Sequence, residues 1–180
     1  MKKTNDITQE KLADVFKAER AHLLRYACYR LGNEDDAKDV LQDTFLKLHT
    51  RIADADDLQI NNLRSYIFRT LTNICAKWQT VTNRVKTIQL DKRMDVVETS
   101  DHENEVDYRR IVHLLTEIPD EQAEVIRLRI YGDNSFAEVA EILSLPLPTV
   151  KSRFLYGLEK LRKGMKKQLT TTKRQDYELQ

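Results

Sequence analysis

Residues 135–167 read SFAEVAEILSLPLPTVKSRFLYGLEKLRKGMKK, and the order of capping, breaking and restarting signals within them decides the fold. Ser135 and Glu138 have the spacing of a capping box at a helix start. Phe136, Val139, Ala140, Ile142 and Leu143 then recur with a helical period. Ser144-Leu145-Pro146 breaks that helix, because a proline cannot continue it. Pro148 suits the first position of a second helix, where no backbone N–H is needed. From there Val150, Phe154, Leu158 and Leu161 form one stripe for burial. Two helices joined this closely make a helix-turn-helix.

The other side of the second helix carries the chemistry. At about 100° per residue, Thr149, Ser152, Arg153, Tyr156, Lys160, Lys163 and Lys167 point away from the stripe. Residues 148–167 hold seven Lys or Arg against the single Glu159. A helix lying in a DNA major groove needs polar side chains near its N-terminus for base edges and cations further along for phosphates. A solvated amphipathic helix with a basic end shares part of this pattern. The charge imbalance exceeds what solubility requires, so DNA binding is the expectation.

Working outward, the 180 residues include only four Gly and three Pro, which fits a mostly helical chain with few tight turns. No stretch alternates apolar and polar residues as a strand would. No apolar run approaches the ~20 residues of a membrane span, and no signal-peptide core follows MKKTNDITQE; a cytoplasmic protein without membrane insertion is expected. Cys28 and Cys75 are isolated within helical patterns and read as small buried hydrophobes. His22, His49, His102 and His113 share no ligand spacing with them, so neither metal nor cofactor is expected.

The net charge of +1 hides an uneven distribution. Residues 1–86 carry 15 basic and 12 acidic side chains, residues 87–105 carry 2 and 6, and residues 106–180 carry 13 and 11. The middle stretch, TIQLDKRMDVVETSDHENE, is acidic and lacks a helical period, so it reads as a flexible linker. The expected fold is all-α: a helical bundle over 6–86, an acidic linker over 87–105, and a helix-turn-helix bundle over 106–168.

In the first bundle, a helix from about Thr8 to Leu31 stops at Gly32. Asn33 starts another, with Glu34, Asp35 and Asp36 at the positive end of its dipole. Ala37, Val40, Leu41, Thr44, Phe45 and Leu48 face inward; Asp36, Asp39, Gln42 and Asp43 face outward, with Leu46 among them. An apolar residue framed by carboxylates fits a partner surface, although a lone exposed Leu is also ordinary. In the next helix Leu63, Ile67, Leu71, Ile74 and Trp78 stay in step, while Arg64, Arg69, Asn73 and Lys77 decorate its other faces and Arg84 and Lys86 follow. Cations beside polar and aromatic groups can grip single-stranded DNA. The same pattern also fits an ordinary bundle helix with Trp78 in its core.

An acidic amphipathic helix, a basic-aromatic helix, an acidic linker and a C-terminal helix-turn-helix, in this order, resemble the extracytoplasmic-function sigma factors, small members of the sigma-70 family of bacterial initiation factors. DAKDVLQDTFLKLH resembles region 2.2, LRSYIFRTLTNICAKW regions 2.3–2.4, and LLTEIPDEQAEVIRLRIYGDNSFAEVAEILSLPLPTVKSRFLYGLEKLR region 4. The resemblance implies roles for matching positions. Asp39, Gln42 and Asp43, with Leu46 among them, would dock on the β′ clamp helices of core RNA polymerase, and the β flap would be a further contact. Asn73 would help capture a flipped −10 base, with Arg69, Lys77 and Trp78 nearby on the melted strand. Lys151, Ser152 and Arg153 would read the −35 duplex, with Thr149 at the helix N-terminus helping to anchor phosphate and Tyr156 and Lys160 on the same face. An anti-sigma factor is a further implied partner.

The chain departs from the family at the turn, where Ser144 replaces a common Gly, and at Tyr156, where many members are basic. The stretch QTVTNRVK after Trp78 is also less basic than in many relatives. A dimeric helix-turn-helix regulator is the rival reading, but no dimerisation helix or ligand pocket is evident. Paired carboxylates, a nucleophile with its base and a Gly-rich phosphate loop are equally absent from the sequence, so no enzyme is expected.

Overall fold

The computed structural model describes residues 9–54, 60–88 and 102–178, with side chains placed over 9–54, 60–82 and 106–167. Its helices are α1 (Gln9–Leu31), α2 (Glu34–Ala53), α3 (Leu63–Ile88), α4 (His102–Glu117), α5 (Asp120–Ile126), α6 (Phe136–Leu143) and α7 (Leu147–Glu178). A π-helical turn, Arg127–Tyr131, continues α5. Among the described residues there is no strand, and no helix is long and apolar enough to cross a membrane.

Local chemistry sets the boundaries. Gly32 takes a left-handed φ of 73° and donates its N–H to the Cys28 carbonyl at 2.8 Å, closing α1. Asn33 then caps α2, its side chain accepting from the N–H groups of Asp35 and Asp36 at 2.8 and 3.0 Å. Asn62 does the same for α3 through the Ser65 N–H at 3.1 Å. Ser135 and Glu138 form both halves of the capping box on α6. Ser144 ends α6 in the left-handed region at φ 54°, the conformation for which glycine is the easier choice. The second helix starts at Leu147, one residue before Pro148, because the Pro146 carbonyl already accepts from Thr149 and Val150 at 3.0 and 3.1 Å. Pro148 thus sits within the first turn, where its missing N–H still costs nothing.

Helices α1, α2 and α3 pack on one another through Leu12, Phe16, Leu23, Tyr26, Val40, Leu48, Ile67, Phe68 and Leu71. Burying such side chains contributes about 1.5–3 kcal/mol each relative to exposure. Val125, Leu128, Val139, Ile142 and Val150 belong to the same core, although they come from the C-terminal half. A second cluster, Leu115, Ile118, Ala123 and Ile126, holds α5 to α7 together with Leu158 and Leu161. Gly157 lets α7 approach α5 closely: a Cβ there would lie 2.7 Å from Ile126 Cδ1 and 3.2 Å from Gln122 Cβ.

The two halves are therefore packed on each other, α1 against the π-turn and α3 against α6. Tyr29 stacks on Tyr131 with centroids 3.5 Å apart and planes 9° from parallel. Most of the expected linker, 89–101, lies outside the described residues. Its edges, 87–88 and 102–105, are helical ends of α3 and α4.

Candidate nucleic-acid interface

On α2 the inward row is buried at Ala37, Val40, Leu41, Thr44 and Leu48. Thr44 satisfies its hydroxyl within the helix, donating to the Val40 carbonyl at 2.7 Å. The opposite face exposes Asp39, Gln42 and Asp43, and Leu46 is 54% exposed among them. A large apolar side chain held in water by a rigid helix is available for a partner.

On α3, Arg69, Asn73 and Lys77 follow at four-residue steps and so share one face. Asn73 and Lys77 are exposed. Trp78 instead packs half-buried against the core, and its buried indole N–H finds no acceptor among the described residues. Arg69 is turned toward the other half of the chain. Its Nε donates to the Ile142 carbonyl at 3.2 Å, and its second terminal nitrogen donates to the Glu141 carbonyl and to Ser144 Oγ, the latter at 3.1 Å. Arg84 and Lys86 lie beyond the described side chains.

On α7, Lys151, Tyr156 and Lys160 are exposed, whereas Thr149, Ser152 and Arg153 are half-buried. Ser152 donates to the Thr149 carbonyl at 3.0 Å. Arg153 pairs with Glu121 of α5 at 2.7 Å. Leu155, 66% exposed beside Tyr156, adds apolar surface that its departure from the Val150–Leu161 stripe signals in the sequence.

The residues that sequence reasoning missed lie between the halves. Tyr26, wholly buried, donates to Glu124, and Arg30 pairs with Asp120 at 2.5 Å and Glu124 at 3.3 Å. Arg127 reaches the same two carboxylates at 3.3 and 3.4 Å. Burial pushes the Tyr26 phenol well up, and the Glu124 carboxylate adds to the shift. Burial also pushes Asp120 upward, but the hydrogen bond and charge of Arg30, backed by Arg127, outweigh it and hold that carboxyl below its ordinary value. Further along, Arg64 donates to Asn134 Oδ1 at 2.5 Å, to Glu138 at 3.1 Å, and to the carbonyls of Gly132 and Asp133 at 3.1 and 3.0 Å. Its Nε also faces Glu19 of α1 at 3.0 Å. Nothing in the local pattern marks these residues, because their partners across the seam are remote in sequence.

Burial pushes the Cys75 thiol up to about 12 and the Cys28 thiol up to about 11, with Glu34 adding to the Cys28 shift, so neither is poised as a nucleophile. Among the described residues no cluster of His, Cys, Asp or Glu could hold a metal ion.

Residues 15–84 match the family described as Sigma-70 region 2, and residues 114–163 match Sigma-70, region 4. The sequence is 27% identical over 177 residues to the ECF RNA polymerase sigma factor SigW of Bacillus subtilis (strain 168), covering 86% of this chain and 87% of that protein. It is 22% identical over 165 residues to the RNA polymerase sigma factor YlaC of the same organism, covering 88% and 94%. Among solved structures, CnrH in complex with the cytosolic domain of CnrY superposes with a TM-score of 0.65 at 21% identity, covering 88% of this chain and 90% of that one. The sigma factor RpoE in complex with the anti-sigma factor NepR from Bartonella quintana gives 0.63 at 22% identity, covering 88% and 96%. Both structures share the fold.

Proposed function

Because this chain belongs to the sigma-70 family, as an extracytoplasmic-function sigma factor that directs RNA polymerase to promoters, we propose that its two regions divide promoter recognition between them. Members of the family are initiation factors, not enzymes. The observation that carries the function is the presence, in one chain and in this order, of region 2 over 15–84 and region 4 over 114–163.

In this reading the exposed row Asp39, Gln42, Asp43 and Leu46 docks on the β′ clamp helices of core polymerase, and region 4 meets the β flap. Asn73 and Lys77, exposed on α3, hold the melted −10 strand, with Arg69 and Trp78 beside them. The N-terminal turn of α7 enters the −35 major groove: Lys151, Ser152 and Arg153 address base edges, Thr149 a phosphate, and Tyr156 and Lys160 flank them. The chain's net charge of +1 gives weak binding to free duplex, since few cations are unopposed. Polymerase supplies the remaining affinity by tethering both contacts at once. An anti-sigma factor is the proposed inhibitory partner, and the bacterial cytoplasm the place of action.

Run-off transcription with core polymerase on a genomic fragment library tests the function. Discrete start sites that need this chain are expected. A gel shift with and without core separates the rival reading, because tight dimeric binding to a palindrome without polymerase belongs to an ordinary repressor or activator.

A further inference from the structure

Between Val150 and Leu161, α7 turns four apolar side chains inward: Val150, Phe154, Leu158 and Leu161 pack against the cores. Leu155 does not follow them. At 66% it is more exposed than any other large apolar side chain among the described residues, and Tyr156 beside it is 60% exposed. A single leucine scattered on a surface is ordinary. Two adjacent large side chains on the second turn of a helix that leaves a helix-turn-helix elbow form a patch.

Side chains four apart on a helix are neighbours. Leu155 therefore stands between Lys151 and Glu159, and Tyr156 between Ser152 and Lys160. Glu159 is taken up by Lys163 at 2.7 Å. Ser152 donates to the Thr149 carbonyl at 3.0 Å, and Arg153 is drawn sideways to Glu121 of α5 at 2.7 Å. From residue 150 onward, the outward face of the first two turns thus presents Lys151, Leu155 and Tyr156.

Leu155 lies about 10 Å along the helix from Pro148, within the span of a major groove about 12 Å wide. Base edges in that groove carry donors and acceptors, and one large apolar group, the 5-methyl of thymine. The leucine side chain makes no hydrogen bond, so a polar base edge pressed against it would lose water and gain no partner. The thymine methyl is its complement.

We propose that Leu155 is a sequence-reading residue, packing on the 5-methyl of a thymine in the −35 duplex between Lys151 and Tyr156. Preference at that step then comes from contact with a methyl group and not from a hydrogen bond. This inference deepens the promoter-reading function proposed above and rests on its placement of α7 in the −35 groove.

The test uses the full chain with core polymerase on a promoter duplex recovered by run-off transcription. Each thymine of the −35 element, on either strand, is replaced in turn by deoxyuridine, which removes only the 5-methyl. One or two positions are expected to lose about fourfold in affinity, the burial of one carbon at about 0.8 kcal/mol, with 1.4 kcal/mol per tenfold. In Leu155→Ala the same replacements should have no effect, whereas Leu155→Met should keep the penalty. At the sensitive position, 5-methylcytosine should bind better than cytosine by a similar factor in the unaltered chain and not in Leu155→Ala. Each comparison is made within one protein, so a change in a variant's fold does not imitate the result.

A −35 element without thymine, an absent deoxyuridine penalty, or an equal penalty in Leu155→Ala each overturns the proposal. A loss in Leu155→Ala that is the same on every duplex, with the methyl or without it, gives Leu155 to a protein contact and overturns it too. Lys151→Ala is scored in parallel. If neither it nor deoxyuridine weakens binding, the placement of α7 in the groove falls; if it weakens binding and deoxyuridine does not, only the part of Leu155 falls.

Discussion

The phenol of Tyr26 in α1 donates to the carboxylate of Glu124 in α5, across 98 positions of sequence and from one sigma region to the other. Arg30 and Arg127 close on the same carboxylate at 3.3 and 3.4 Å, so one glutamate gathers a phenol donor and two cations at the seam. Tyr26→Phe keeps the ring and deletes one donor, leaving Glu124 to the two arginines. A loss of about 1–3 kcal/mol is expected, read as a lower urea midpoint. An unchanged midpoint would show that the arginines alone satisfy Glu124.

At the close approach of α7 to α5, Gly157→Val should destabilise by about 1–3 kcal/mol through overpacking. Ile126, which a new Cβ would meet at 2.7 Å, is itself buried and has little room to turn aside. Thermal unfolding measures the change, and an equal or higher Tm would mean that α7 can slide.

Leu46→Ala is expected to leave the Tm unaltered, since the side chain is 54% exposed. The same substitution should weaken binding to core polymerase by about 1–2 kcal/mol, roughly five- to thirtyfold. Competition against the unaltered chain for a limiting amount of core reads the difference. Full competitive strength would remove Leu46 from the docking surface.

Lys151→Ala and Arg153→Ala separate two kinds of contact. A residue reading a base costs about 1–3 kcal/mol on replacement and relaxes sequence preference at its position, whereas one touching only phosphate lowers the salt slope by about one. Arg153→Ala also leaves the Glu121 carboxylate, 2.7 Å from the guanidinium it loses, without its cation near the DNA, so its effect on affinity should exceed that of Lys151→Ala. Salt titrations with holoenzyme on a cognate promoter give both numbers.

Acid should loosen the seam late. Asp120 and Glu138 are both held below their ordinary values of 3.8 and 4.5. For Glu138, burial acts upward, and the Ser135 backbone and side chain together with Arg64 outweigh it. A lowered folded-state pKa gives stability that is fully present above the ordinary value and lost as pH falls through the lower one. Tm is therefore expected to be flat from pH 7 down to about 5, and to fall below about pH 4. A fall centred near pH 6 would point to histidine instead.

Most of the helices were legible because their signals are local: Gly32, Asn33, the Ser135–Glu138 box and the apolar periods each act within a few residues. The exposed row on α2 followed from the same arithmetic. What the pattern withheld is the union of the halves. Arg64 and Arg69 decorate a helix face in the sequence, and nothing local distinguishes a cation aimed at solvent from one aimed at Gly132 or Ile142. The acidic stretch read as a spacer likewise says nothing of how closely the regions it joins will pack. Trp78 shows the reverse case, where helical phase alone placed a large ring against the core.

Ser144 bears on the angle at which α7 leaves α6. At φ 54° it holds a shape that glycine would adopt without the cost of about 1–2 kcal/mol that a side chain incurs there. Glycine would have no hydroxyl for Arg69 to grasp at 3.1 Å. The joint that fixes the angle between α6 and α7 is thus also a handle for the opposite domain. Displacing Arg69 therefore loosens the α6–α7 elbow together with the contact between the two halves.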